Sequence, residues 1–245
     1  MDFETLAVVG AAFFVAAFIK GITGLGFSTS AVAMLAVAIG VKATLPLLII
    51  PALASNAMVM VKAGHCREML VRFAWLYGLA ILGVAIGLML LAWVDGATAG
   101  GALGVVLLAY SLFSWRNPEL NLPTRLERPL APAVGLATGA INGLTGTQVM
   151  PLLPYLLALR LDPNRVVQAS NISFSVSTLT MAVGLSQIGL LTPESTLISV
   201  LSLVPVYLGV KLGTAVRGRL SPTIFTKLVI VLLGISGLVL VVRLL

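Results

Sequence analysis

The 245-residue chain is 59% hydrophobic and only 9% charged, with fifteen Lys+Arg against eight Asp+Glu and a mean hydropathy of +1.12. This composition excludes a soluble globular domain and predicts an all-α integral membrane protein, because a hydrocarbon core about 30 Å thick needs roughly 20 apolar residues per spanning helix. A single cysteine, Cys66, and a single histidine, His65, exclude an internal disulfide, a cysteine-rich metal site and a bis-histidine haem, so no cofactor or metal is expected.

The chain starts with Asp2 and Glu4 where a signal peptide would be basic, so the first apolar run reads as retained. Apolar runs lie at about 5–36, 43–62, 70–93, 97–115, 129–159, 165–188, 194–214 and 222–243, giving eight to ten membrane segments. The long polar interruption WRNPELNLPTRLERP divides them into four and four. The expected organisation is a first membrane repeat at 1–115, a cytoplasmic linker at 116–128 and a second repeat at 129–245.

Within the first run the stretch IKGITGLG places Lys20 beside Gly21, Gly24 and Gly26. The fifth run contains INGLTGTQ, and Gly21 and Gly143 are 143 − 21 = 122 positions apart, an offset shared by Ile19 with Ile141, Thr23 with Thr145 and Gly24 with Gly146. GVAIG at Gly83–Gly87 is echoed by GVKLG at Gly209–Gly213, the small-xxx-small spacing that lets helices approach closely. The triplet Ala-Ser-Asn occurs at Ala54 and again at Ala169. Their common order points to gene duplication.

Basic residues set the orientation. Lys62, Arg67 and Arg72, then Arg116, Arg125 and Arg128, then Arg160 and Arg165, then Arg217 and Arg219 mark cytoplasmic loops, whereas Asp95 and Glu194 mark external ones. Equivalent loops of the two halves thus face opposite sides, so the repeats are expected to be inverted. The 5–36 and 129–159 runs must each enter and return on one side. Each is about 30 residues long, which suggests two half-depth helices that meet near the midplane, with second arms starting near Gly24 and Gly146.

Broken backbone inside a bilayer is tolerated only beside protein or a water-filled cavity. Helix N-termini at the two breaks would present N–H groups and the positive end of the dipole to an anion. Gly24 and Gly146 permit the turn, while Thr23, Ser28, Thr145, Thr147 and Gln148 offer donors. Lys20 reads either as the charge of that site or as a snorkelling anchor, and Asn142 is its neutral counterpart. LASNAM and QASNISFSVST add Ser55, Asn56, Gln168, Ser170, Asn171, Ser173 and Ser177, either as cavity lining or as interhelical hydrogen bonds. Every Asp and Glu lies at a segment end or in a loop, which disfavours proton antiport through a buried carboxylate.

With the duplicated glycine motifs, the P-L-L run at Pro151–Leu153 and the paired G-x-x-x-G helices, the whole chain resembles the TauE/SafE sulfite exporter family of bacterial permeases. The resemblance implies a multipass transporter of the bacterial inner (cell) membrane for a small organosulfur anion such as sulfite, a sulfonate or sulfoacetate. The expected partners are that anion and the lipid bilayer, without nucleic acid; a homodimer and an anion channel are the alternatives entertained. A membrane enzyme is disfavoured, since no nucleophile with a base, paired carboxylates or ligand cluster is present.

Overall fold

The computed structural model describes residues 2–116, 119–218 and 222–244. In chain order the helices are α1 (Phe3–Thr23), α2 (Phe27–Ile39), α3 (Val41–Ala63), α4 (Cys66–Arg72), α5 (Ala74–Trp93) and α6 (Gly96–Arg116). The second half contributes α7 (Thr124–Thr145), α8 (Leu152–Ala158), α9 (Pro163–Gln187), α10 (Pro193–Leu201), α11 (Leu203–Val216) and α12 (Pro222–Val242). Among the described residues, seven helical spans are long and apolar enough to cross a membrane: α1, α3, α5, α6, α9, α10 with α11, and α12. The protein is a multipass, all-helical membrane protein.

Local chemistry sets the helix ends. Asp2 accepts from the Thr5 N–H at 3.1 Å and caps α1, and Asp162 caps α9 by accepting from the Asn164 N–H at 2.9 Å. α1 and α7 both end on a left-handed glycine, Gly24 at φ 81° and Gly146 at φ 78°. An L side chain is strained there, which is why glycine terminates both helices. Within α3, Pro51 has no N–H and leaves the Leu47 carbonyl without its helical donor; Ser199 of α10 supplies one at 3.0 Å.

Four helix pairs make the scaffold: α5 on α7, α1 on α11, α6 on α12 and α3 on α9. Glycines permit the first two. A Cβ on Gly209 would meet Phe14, Ala17 and Phe18, and one on Gly83 would meet Leu136, Gly139 and Ala140. Each residue of the second trio stands 122 positions after its counterpart in the first, so the two interfaces use equivalent residues. Gly213 meets Gly21 as Gly87 meets Gly143. The glycine-bearing first helix of each half therefore packs in parallel on the G-x-x-x-G helix of the other half. The α6–α12 pair is antiparallel, with Gly101 opposite Leu244 and Ser111 opposite Gly234. So is α3–α9, with Asn56 opposite Ser175 and Gly64 opposite Gln168.

Three expectations are corrected. The hairpin arms are not equal half-depth helices: α1 has 21 residues and α2 13, while α7 has 22 and α8 7. The first arms run long because close packing on α11 and α5 satisfies them along their length. The second arms begin at Phe27 and Leu152, not at Gly24 and Gly146. After Gly146 the chain stays non-helical to Pro151, because a proline disfavours the α region for the residue before it. Lastly, the Ala-Ser-Asn triplets are not equivalent positions. Gly24 contacts Val167 and Gly146 contacts Leu45, and 167 − 45 = 122, so Asn56 and Asn171 (171 − 56 = 115) lie two helical turns out of register. Helix α7 begins at Thr124, so residues 124–128 are helical.

Candidate substrate site

The site is built where α1 breaks. Gly24 donates its N–H to the Lys20 carbonyl at 2.7 Å, closing the last turn. Thr23 locks the turn by donating to Leu25 O at 2.8 Å or Ile19 O at 3.0 Å and by accepting from the Leu25 N–H at 3.1 Å. One turn back, the Lys20 side chain is 1% exposed and donates from Nζ to Asn56 Oδ1 on α3. No carboxylate pairs with it among the described residues. An ammonium has three donors, and a neutral amide oxygen takes one.

From Asn56 a continuous chain of hydrogen bonds returns to the break. Asn56 Nδ2 donates to Ser175 Oγ at 3.2 Å, and Ser175 Oγ donates to the Asn171 carbonyl at 2.8 Å. Asn171 Nδ2 donates to the Gly24 carbonyl at 3.1 Å and to Val167 O at 2.7 Å. The loop thus ties α1, α3 and α9 together around the Lys20 side chain.

The break in α7 repeats the local geometry without the charge. Gly146 donates to the Asn142 carbonyl and Thr145 Oγ1 to the Ile141 carbonyl, both at 2.7 Å, and Thr145 Oγ1 accepts from the Thr147 N–H at 3.4 Å. Thr147 is 2.9 Å, hydroxyl to hydroxyl, from Thr29 in the first turn of α2, and this contact joins the two breaks. Helix α2 starts on Gly26 with no side-chain cap, so its first N–H groups remain available to a ligand. Helix α8, two turns long and starting past Pro151, offers no comparable terminus.

Buried polar atoms without a protein partner gather in these segments: both side-chain amide atoms of Asn142, Gln148 Oε1, Ser170 Oγ, Asn171 Oδ1, Ser173 Oγ and Ser177 Oγ. Each such group costs about 1–3 kcal/mol when left unmade, so a polar partner, water or ligand, would stabilise them. Two grooves on the protein, one between α4–α5 and α7 and one between α5 and α9, include none of these residues. Around the second break Thr145, Gly146, Thr147, Gln148 and Val149 are buried, whereas Thr23, Leu25, Gly26 and Ser28 at the first are half-buried.

Residues 9–240 match the family model described as sulfite exporter TauE/SafE. The chain belongs to this family. No curated protein and no solved structure matches it. Membership makes the chain a membrane protein of a transporter family.

Of the TauE/SafE residues singled out from sequence, the fold brings Lys20, Gly24, Asn56 and Asn171 into one network and places Thr23 as its turn lock. Thr145, Gly146 and Thr147 form the second break. Asn142 and Gln148 flank it and are buried, Ser170 is buried on α9, and among the described residues no hydrogen bond ties their side chains to the first break. Ser55 donates to Ala52 O at 3.0 Å, an intrahelical bond. Gln168, with its amide oriented to donate, reaches the Gly64 and Met60 carbonyls at 3.1 Å and serves the end of α3. Two residues escaped the sequence reading, Ser175 and Thr29. Ser175 stands four positions after Asn171, on the same helical face, and that spacing was its legible signal.

Proposed function

We propose that the protein carries a small organosulfur anion, such as sulfite or a sulfonate, across the bacterial inner membrane, binding it at Lys20 between the two chain breaks. The observation that carries this reading is a buried lysine side chain whose hydrogen-bond partner among the described residues is a neutral amide. A charge inside a membrane costs at least about 2.5 kcal/mol, and in this family of anion exporters a negative guest would offset that cost. In this reading Lys20 supplies the charge, the first N–H groups of α2 supply directed donors, and Asn142, Thr145, Thr147 and Gln148 of the second break and Ser170 of α9 supply further polar groups. The glycines at 24 and 146 let backbone approach the guest.

The exchanged pairing of first arms with G-x-x-x-G helices supports inverted repeats. If α5 runs outward from the basic 62–72 loop, α7 runs outward beside it, while α11 and its parallel neighbour α1 run inward. Inverted repeats with broken helical hairpins favour a carrier that alternates access over an open channel. At an inside-negative potential of 100 mV, one negative charge leaving the cell gains about 2.3 kcal/mol, so export needs no buried carboxylate for coupling.

The test is a thermal-shift screen of the purified protein with sulfite, sulfate, thiosulfate, sulfoacetate, taurine and simple carboxylates, followed by flux in proteoliposomes. The expected result is a saturable stabilisation by an organosulfur anion that disappears in Lys20→Ala. An unchanged anion profile in that variant refutes the site. Flux that fails to saturate refutes the carrier.

A further inference from the structure

The groove between α4–α5 and α7 has no part in the site above, and its lining changes character along its length. One end holds Arg67, Arg125 and Arg128; the other holds Trp75, Leu79 and Pro132. We propose that this groove binds an anionic phospholipid of the cytoplasmic leaflet, with its phosphodiester among the arginines and an acyl chain along Trp75 and Leu79.

Charge accounting supports the headgroup end. Both carboxylates in the groove are already engaged: Arg72 binds Glu127 through two bonds of 2.6 and 2.9 Å, and Arg165 reaches Glu68 at 2.9 Å. Arg67, Arg125 and Arg128 have no ion-pair partner among the described residues. Uncompensated guanidiniums at a membrane surface are matched by phosphate oxygens, which they bind in a fork. On α7, Pro129 and Pro132 lack the N–H groups that would serve the Arg125 and Arg128 carbonyls, leaving acceptors for a hydroxyl-bearing headgroup.

Helical phase supports the lipid end and separates this groove from the transported anion. Arg67, Val71, Trp75 and Leu79 recur every four residues along α4–α5 and face outward; Val71 and Trp75 are each 74% exposed. Met69, Phe73, Leu76 and Tyr77 point the other way, into an apolar cluster against which Leu25 of the first break packs. The groove therefore lies on the far side of the helix from the substrate site. Its volume, about 1550 Å³, accommodates a headgroup and the upper part of a chain. An exposed indole at this level matches the aromatic belt of the interface.

Native mass spectrometry of the detergent-solubilised full chain tests this, with dioleoyl-phosphatidylglycerol and dioleoyl-phosphatidylcholine as probes. The expected result is preferential retention of phosphatidylglycerol. Arg125→Gln/Arg128→Gln should weaken that retention about tenfold or more, Arg67→Gln should weaken it less, and Lys20→Ala should leave it unchanged. These arginines are exposed and unpaired, and an unaltered unfolding midpoint confirms that the variants fold. Equal retention of the two lipids overturns the proposal, as does retention unaffected by the double substitution. Displacement of the lipid by millimolar glycerol 3-phosphate overturns the acyl-chain half and leaves a site for free phosphoesters. Displacement by the anions of the transport screen overturns the separation from the substrate site. Loss of lipid preference with intact anion transport refutes this groove alone; loss of anion binding in Lys20→Ala concerns the other site alone.

Discussion

Two glycines on α5, five residues apart, meet opposite environments. A Cβ at Gly78 would find nothing within 4 Å, whereas one at Gly83 would press on the Leu136 carbonyl, on Ala140 N at 2.8 Å and on Gly139 Cα at 3.0 Å. Those obstacles are backbone, so no rotamer change relieves them. Ordinary contact begins at about 3.5 Å, so Gly83→Ala forces α5 and α7 apart by up to about 1 Å, enough to forfeit a quarter to a half of the dispersion energy along the contact. Overpacking of this kind costs about 1–3 kcal/mol. Gly78→Ala gains up to about 1 kcal/mol from backbone entropy. The two alanine variants should then differ by about 2–4 kcal/mol in the unfolding of the purified protein in detergent, with Gly83→Ala below the parent. Since α7 carries Asn142 and Gly146, anion flux should fall in Gly83→Ala and stay at the parental level in Gly78→Ala. Equal stability of the two variants would refute the backbone-contact argument.

Lys20→Met and Asn56→Leu should be non-additive in a double-mutant cycle: removing the acceptor alone strands a buried cation and costs about 3–5 kcal/mol, whereas removing both costs much less. Additive losses in thermal unfolding would contradict the contact. Thr147→Val should lower stability by about 1 kcal/mol through loss of the Thr29 bond, and Thr29→Val should add little further in the same assay. The hydrogen bond and charge of Arg165, with His65 contributing less, hold the Glu68 carboxyl below the usual glutamate range. Because the folded value lies below the unfolded one, this contribution is complete above the unfolded pKa and is lost as pH falls through the folded one. Acid titration of the unfolding midpoint should therefore show a step below about pH 4.5 that is smaller in Arg165→Gln.

Much of the architecture is legible in local sequence because its causes are local. Apolar length marks the spans, Gly24 and Gly146 end α1 and α7 by their backbone freedom, and the spacings Gly83–Gly87 and Gly209–Gly213 mark close helix contacts. The buried lysine is legible too, since a charge within an apolar run either snorkels or serves a site. Lys20 proves to be 1% exposed, buried within the protein.

What the chain alone determined, then, is the membrane class, the two hinges and the glycine faces, each a property of residues within one or two turns. Tertiary structure decided which distant side chains meet. Asn56 faces Lys20 while Asn171 faces the Gly24 carbonyl, although the same triplet precedes both, because α3 and α9 present them two turns out of register. It also paired each first arm with the other half's glycine helix, brought Ser175 between two asparagines and set Thr29 against Thr147. Those choices depend on the rotation and axial shift of helices far apart in sequence, and no local pattern encodes them.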